Sequence, residues 1–235
     1  MIDRVDFSSI TSFEAARDFI GQRKNHLILF DTWIPERKFI ELLHSDGGIS
    51  IYREDETPVA FCLGENPPIR ADWKELNLER ESQQEIKLES NKEVEWDTYF
   101  IELENAALKG EPSKNRLDEE IEKFLRDHAP DSSVFPGNNE IVEWARVDES
   151  DRLAGVAAIC RWESGEYVVA SVATHSELRG RGIGTRVMAQ VVDIAKRKGI
   201  SRLCLGVLSQ NESAKALYKK AGWKPLFEFT YLELA

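Results

Sequence analysis

Cysteine is scarce in this chain: Cys62, Cys160 and Cys204 are the only three among 235 residues, each in an apolar, strand-like setting and none at metal-binding spacing. An odd, scattered set of this kind excludes a disulfide framework and a cysteine-built zinc site, and it predicts buried thiols. No apolar run approaches the ~18 residues that cross a bilayer. The opening MIDRVDFSSI carries acids where a targeting segment has a basic head and an apolar stretch. These absences predict a soluble, cytoplasmic protein with no membrane partner. Short internal repeats are missing too. What is present is 42% hydrophobic content, which argues against disorder and supplies a core for one large or two small domains.

Charge is unevenly spread. Residues 1–110 hold 13 basic and 23 acidic side chains and so carry −10 of the net −11, whereas residues 111–235 hold 18 and 19. Within the second half, residues 171–224 hold 11 basic and 3 acidic side chains, a local +8 that suits a polyanionic small ligand. The acidic chain as a whole opposes nucleic acid, so no nucleic-acid partner is expected.

A linker at Lys109-Gly110-Glu111-Pro112 divides the chain into domains at 1–110 and 111–235. In the first, Thr11-Ser12-Phe13-Glu14 reads as a capping box opening a helix to about Gln22. A strand His26 to Asp31 follows, then a helix from Pro35 to His44 ended by Asp46-Gly47-Gly48. Ile49 to Arg53 and Val59 to Leu63 read as a hairpin around Asp55-Glu56-Thr57. Residues 66–93 read as a surface helix or linker, and Glu93 to Glu104 as a strand. The second domain has a cleaner order. Helix Leu117 to Asp127 leads to strand Glu140 to Val147, turn Ser150-Asp151, strand Leu153 to Trp162, turn Ser164-Gly165 and strand Tyr167 to Ala173. A helix Ile183 to Lys198, a strand Leu203 to Leu208, a short helix Glu212 to Ala221 and a final strand Leu226 to Glu233 complete it. Hairpins followed by strand–helix–strand–helix–strand indicate an α/β (α+β) class, a mixed central sheet flanked by helices.

The segment with most chemistry is LRGRGIGT, Leu178 to Thr185, between an apolar strand and a helix start. Gly180, Gly182 and Gly184 let a ligand approach the backbone closely, and the unpaired NH groups of Ile183, Gly184 and Thr185 face an anion, most simply a pyrophosphate. Arg179, Arg181 and Arg186 add fixed cations. The glycines recur at every second position, so neither the dinucleotide fingerprint GxGxxG nor the P-loop is present. Downstream, NESAKALYKKAGWKP places Asn211 seven residues before Tyr218 on a short helix that ends at Gly222-Trp223.

On these two motifs the chain resembles the GNAT superfamily of N-acetyltransferases. Arg179, Gly182 and Gly184 match the family's acetyl-CoA motif, and Asn211, Ala214, Leu217, Tyr218, Gly222 and Trp223 match its second signature; the resemblance covers about residues 111–235. It implies the GNAT fold, acetyl-CoA as co-substrate and no metal. It also implies acetyl transfer by direct attack of a primary amine, on a small molecule or a peptide end. The helix-then-hairpin opening of the N-terminal half echoes the same unit, as a degenerate copy without its motifs.

The resemblance also assigns roles. Backbone NH groups around Val172, Ala173 and Thr174 would hold the pantetheine arm and the developing oxyanion. Tyr218 would be the general acid to the departing thiolate, with a core tyrosine as the structural alternative. Asn211 would bind the pantetheine amide or cap the helix at Glu212, and an amide can do both. The chain departs from many members at the base: where they carry a glutamate five residues before the Asn, it has Gly206. His175, Glu163 and Glu143 are the candidate bases, directly or through water, with a turn-capping role as the alternative for His175. His26, His44 and His128 read as surface or packing residues, and Trp33, Trp144 and Trp162 as pocket or core aromatics. The competing function is a non-catalytic acyl-CoA-binding sensor or interaction module, favoured by Gly206 and opposed by Tyr218.

Overall fold

A computed structural model describes residues 7–82, 88–104 and 118–235. In chain order the elements are β1 (Ser8–Ile10), α1 (Phe13–Ile20), α2 (Lys24–Trp33), β2 (Phe39–Ser45), β3 (Gly48–Arg53), β4 (Val59–Leu63), β5 (Glu75–Glu79), β6 (Ser90–Glu102), α3 (Asp118–His128), β7 (Ile141–Glu149), β8 (Arg152–Arg161), β9 (Tyr167–Thr174), α4 (Ile183–Arg197), β10 (Arg202–Leu208), α5 (Glu212–Lys220) and β11 (Lys224–Leu234). The chain forms two compact units that are not consecutive halves. One holds residues up to Thr98 with Val207–Asn211 and Leu226–Ala235, the other Tyr99–Gly206 with Glu212–Pro225. The expected boundary at residues 110 and 111 lies outside the described residues.

In the first unit the strands run in the order β1-β2-β3-β4-β5-β11-β6. The hairpin expected at Ile49–Arg53 and Val59–Leu63 is present, with Ile51 opposite Phe61. α1 starts within the expected segment, but its N-cap is Ser12 and not Thr11 of the expected capping box; the Ser12 hydroxyl accepts from the Ala15 amide. Three further expectations are corrected. His26 to Asp31 lies in a helix, α2, because Leu27 to Phe30 is a short apolar run whose period does not separate a buried helix from a buried strand. Pro35 starts only one 3-10 turn, Glu36–Lys38. The chain then enters β2, where Leu42 and Leu43 are fully buried and laddered to strands on both sides. Within 66–93, residues Glu75–Glu79 form a strand whose Leu76 and Leu78 are fully buried beside β4 and β11. Charged flanks hid that short strand.

In the second unit the order is β10-β9-β8-β7, with β7–β8 and β8–β9 antiparallel and β9–β10 parallel. Ser150 and Asp151 adopt positive φ in the expected turn. Gly155 of β8 faces Ile183 and Val187 of α4, and the adjacent Val156 packs with Ile121, Phe124 and Leu125 of α3. Neighbouring residues on a strand point to opposite faces, so the two helices cover the two sides of this sheet. The expected element order holds throughout this unit among the described residues. All three thiols are buried, and burial pushes Cys62 up to about 12 and Cys160 to about 11. Neither is a thiolate at neutral pH. No helix of the described residues is long and apolar enough to cross a membrane.

Candidate active site

The second unit builds the site around the C-terminal end of β9. Gly180 and Gly182 both adopt φ +77°, the left-handed region that a side chain resists, so the chain doubles back into α4 without strain. Gly182 is the N-cap and offers no side-chain bond; the first helical amide with an acceptor is that of Arg186, bonded to the Gly182 carbonyl at 3.1 Å. The amides of Ile183, Gly184 and Thr185 precede it and have no acceptor within the helix. Gly184 serves closeness rather than conformation: a Cβ there would lie 2.9 Å from Leu217 and 3.7 Å from the Thr174 hydroxyl. Leu217 precedes Tyr218, so α5 rests on the first turn of α4 beside the end of β9.

The arginines are not equivalent. Arg179 donates to the His128 carbonyl at 3.3 Å, and Arg186 reaches Glu149 at 2.6 Å and the Asp148 carbonyl at 2.8 Å. Both are committed to the protein at least in part. Arg181 is exposed between the two left-handed glycines.

β9 itself is kinked. Val156 pairs with Ala173 and Ala158 with Ala170, so Ala157 alone faces both Ser171 and Val172. Such a bulge re-aims the backbone, and it places Ser171 at φ +51°. The ladder to β10 records one register pair, Cys204 with Val168, on the near side of the bulge. From Ser171 to Thr174 the β9 edge toward β10 therefore lies beyond the paired stretch, where an extended ligand can add as a strand. Val172, Ala173 and Thr174, assigned by resemblance, occupy this edge. The bulge was not foreseen, because no glycine marks it.

Tyr218 is buried, with Tyr99 at 5.9 Å and Trp223 at 6.3 Å between ring centroids. Burial, then the neighbouring Tyr99, pushes its phenol up to about 12, so it keeps its proton at physiological pH. Asn211 belongs to the first unit, where its amide donates to the Leu208 carbonyl at 2.9 Å. A polar clamp unforeseen from the sequence holds that segment. Arg80 pairs with Asp97 at 2.6 Å, and the Ser209 hydroxyl donates to the same carboxylate, which is 2% exposed. The Ser209 amide bonds the Glu95 carbonyl at 3.0 Å.

The candidate bases are scattered. Glu143 pairs with Arg197 at 3.4 Å and Lys198 at 3.0 Å. That is the far end of a 15-residue helix, about 22 Å from the glycine loop at 1.5 Å per residue. Glu163 sits in the turn before β9, and the eight residues of that strand span about 23 Å from it to the loop. His175 follows β9 directly, but its Nδ1 accepts from the Glu177 amide at 3.3 Å, capping a 3-10 turn. That bond fixes the Nε2–H tautomer and uses the ring's lone pair. His128, read as a surface or packing residue, lies against His175 with ring centroids 4.0 Å apart and the rings tilted, and it accepts from the Ser176 amide at 3.4 Å. Gly206 is exposed. Among the described residues no three metal-ligating side chains converge.

The profile of the Acetyltransferase (GNAT) family matches residues 88–223. The chain belongs to this family. The match begins upstream of residue 111 and takes in β6, a strand the motifs do not mark. The chain is 36% identical over 67 residues to the thialysine N-epsilon-acetyltransferase of Bos taurus, covering 28% of this chain and 39% of that one. It is 30% identical over 88 residues to a putative [ribosomal protein bS18]-alanine N-acetyltransferase of Bacillus subtilis, covering 37% and 57%. The alignment thus spans less than two thirds of either relative. Its fold is similar to a GCN5-related N-acetyltransferase from Sphaerobacter thermophilus, with a TM-score of 0.57 at 13% identity over 96% of this chain and 94% of that one.

Proposed function

We propose that this acetyltransferase moves an acetyl group from acetyl-CoA to a primary amine by direct attack. The observation that carries the proposal is the junction in the second unit: a β9 edge unpaired beyond its bulge leads into an anion-facing helix N-terminus. A pyrophosphate at Ile183, Gly184, Thr185 and Arg181 and a pantetheine arm along Val172 to Thr174 fit that order. Glycines 180 and 182 shape the loop, with Arg179 beside it. The amine lone pair attacks the thioester carbonyl carbon, the C–S bond breaks, and the sulfur leaves with the electron pair. Tyr218 donates a hydrogen bond to that sulfur. Its phenol at about 12 holds its proton against a thiol of pKa ~8.5, so the proton that completes CoA comes from the attacking nitrogen.

The base geometry narrows the acceptor. Glu143 and Glu163 lie at remote ends of their elements and His175 spends its lone pair on a turn, so deprotonation runs through water. At pH 7.5 an α-amine of pKa ~7.8 is about one third neutral, but a lysine-type amine of pKa ~10.4 only about 0.1%. A peptide or amino-acid α-amine, or a small-molecule amine of similarly low pKa, is thus the preferred acceptor. Thiol release from acetyl-CoA across an amine library tests this, with α-amines expected to outrun ε-amines. Tight acetyl-CoA binding with no turnover on any amine would instead make the chain a sensor or interaction module.

A further inference from the structure

We propose that Ser171 is a positioning residue for acetyl transfer, its hydroxyl locking the β9 bulge that aims the Val172 amide; this rests on the acetyl-transfer function proposed above. Three observations meet at this residue. Among the described residues, the other non-glycine positions with positive φ are Ser150 and Asp151, which form a surface turn; Ser171 adopts φ +51° inside a strand. Its hydroxyl donates to the Val134 carbonyl at 2.6 Å and accepts from the Val134 amide at 3.1 Å. One side chain thereby satisfies both backbone groups of a residue 37 positions away. Val134 is itself core, packed with Ala158 and Cys160 of β8, so the lock is anchored in the sheet that it bends.

The lock is placed where it matters for chemistry. β9 pairs with β10 at Val168, before the bulge, and the candidate thioester-binding amides come after it. A left-handed residue redirects the following peptide plane, so the orientation of the Val172 N–H depends on Ser171 staying at φ +51°. An oxyanion donor works only when held in place before the charge develops. Serine is an unusual choice for a left-handed position, which glycine or asparagine fills at lower cost. The paired hydrogen bonds to Val134 explain its presence: glycine would allow the bend, and serine fixes it.

The test compares Ser171→Gly, which permits the left-handed backbone but deletes the lock, with Ser171→Asn, which tolerates the conformation and offers a donor and an acceptor to Val134. Thiol release from acetyl-CoA is followed with the amine panel, with water as acceptor where no amine is taken, alongside the dissociation constant for CoA and the melting temperature. Ser171→Gly should lower kcat about tenfold or more while the CoA dissociation constant stays within about twofold. Ser171→Asn should recover part of the loss. Wild-type kcat in Ser171→Gly overturns the proposal and leaves the acetyl-transfer function standing. A parallel loss of kcat, CoA affinity and melting temperature also overturns it, by making the residue merely structural. A wild-type chain that neither binds nor turns over acetyl-CoA overturns both.

Discussion

Gly155 sets the distance between β8 and the helix that carries the anion site. A Cβ at this position would lie 2.7 Å from Val187 Cγ2, 2.8 Å from Ile183 Cγ2 and 3.2 Å from the Ala173 carbonyl oxygen. Carbon atoms prefer ~3.5–4.0 Å, so in Gly155→Ala the first two turns of α4 must retreat by about 1 Å. Overpacking of this size costs about 1–3 kcal/mol, and at about 2–4 °C per kcal/mol in a chain of this length the melting temperature should fall by about 2–12 °C. Ile183 opens α4, so the retreat also displaces the amides proposed to meet the pyrophosphate, and CoA should bind more weakly. The decisive measurement is a double-mutant cycle with Val187→Ala. That change alone empties space in a fully buried site and destabilises, but combined with Gly155→Ala it makes room for the new methyl. The two substitutions should therefore couple favourably by about 1–2 kcal/mol in urea unfolding. Strict additivity, or a Gly155→Ala protein that melts with the wild type, would refute the close-approach reasoning.

Arg181→Glu reverses the exposed charge between the two left-handed glycines and should raise the acetyl-CoA dissociation constant at least about tenfold by titration calorimetry; an unchanged constant would sink the phosphate role. Tyr218→Phe removes one hydrogen bond to a sulfur that becomes charged, worth about 1.5–3 kcal/mol. Turnover should drop about 10- to 150-fold with coenzyme affinity unchanged, and full activity would reject the role. The imidazoles of His26 and His128 are both held below their ordinary value, by burial first, then by Arg23 for His26 and by His175 for His128. The unfolded chain takes up these protons near pH 6.5 and the folded chain only at lower pH, so their contribution is complete above pH 6.5 and is lost as pH falls below it. Melting temperature should decline from about pH 7 to about 5.5, and less steeply in His26→Leu; a flat profile would contradict the assignment.

How far the structure could be read from sequence depended on where each signal lay. From β7 to β11, long alternating strands and a strongly amphipathic α4 agreed with their turn residues, and the glycine loop and Asn211-to-Tyr218 spacing pointed to one family. Before residue 104 the runs were short. Leu27 to Phe30 suits helix and strand alike, and Leu76-Asn77-Leu78 is three residues between charged flanks; tertiary neighbours decided both. At the site, the loop was visible because glycine announces its φ values. The bulge was not, since a serine in a strand gives no sign that its hydroxyl will tie back to Val134. Nothing in the strand expected at Glu93 to Glu104 singles out Asp97, yet it is buried with Arg80 and Ser209, residues remote in sequence. A turn cap was one of the two readings open for His175, and geometry decided for it; the remoteness of Glu143 and Glu163 could not be seen without geometry.

The strand order β5-β11-β6 sets a schedule for biosynthesis. Both β5 and β6 emerge within the first 102 residues, yet the strand that belongs between them, β11, runs to Leu234. Until more than 120 further residues have been made, the first unit holds a sheet with its middle missing and two strand edges bare. Chains stalled or cut before residue 224 should consequently be captured by chaperones or aggregate rather than yield a foldable N-terminal fragment. Expression of residues 1–110 alone removes an interior strand, so the two halves of this sequence are not interchangeable modules.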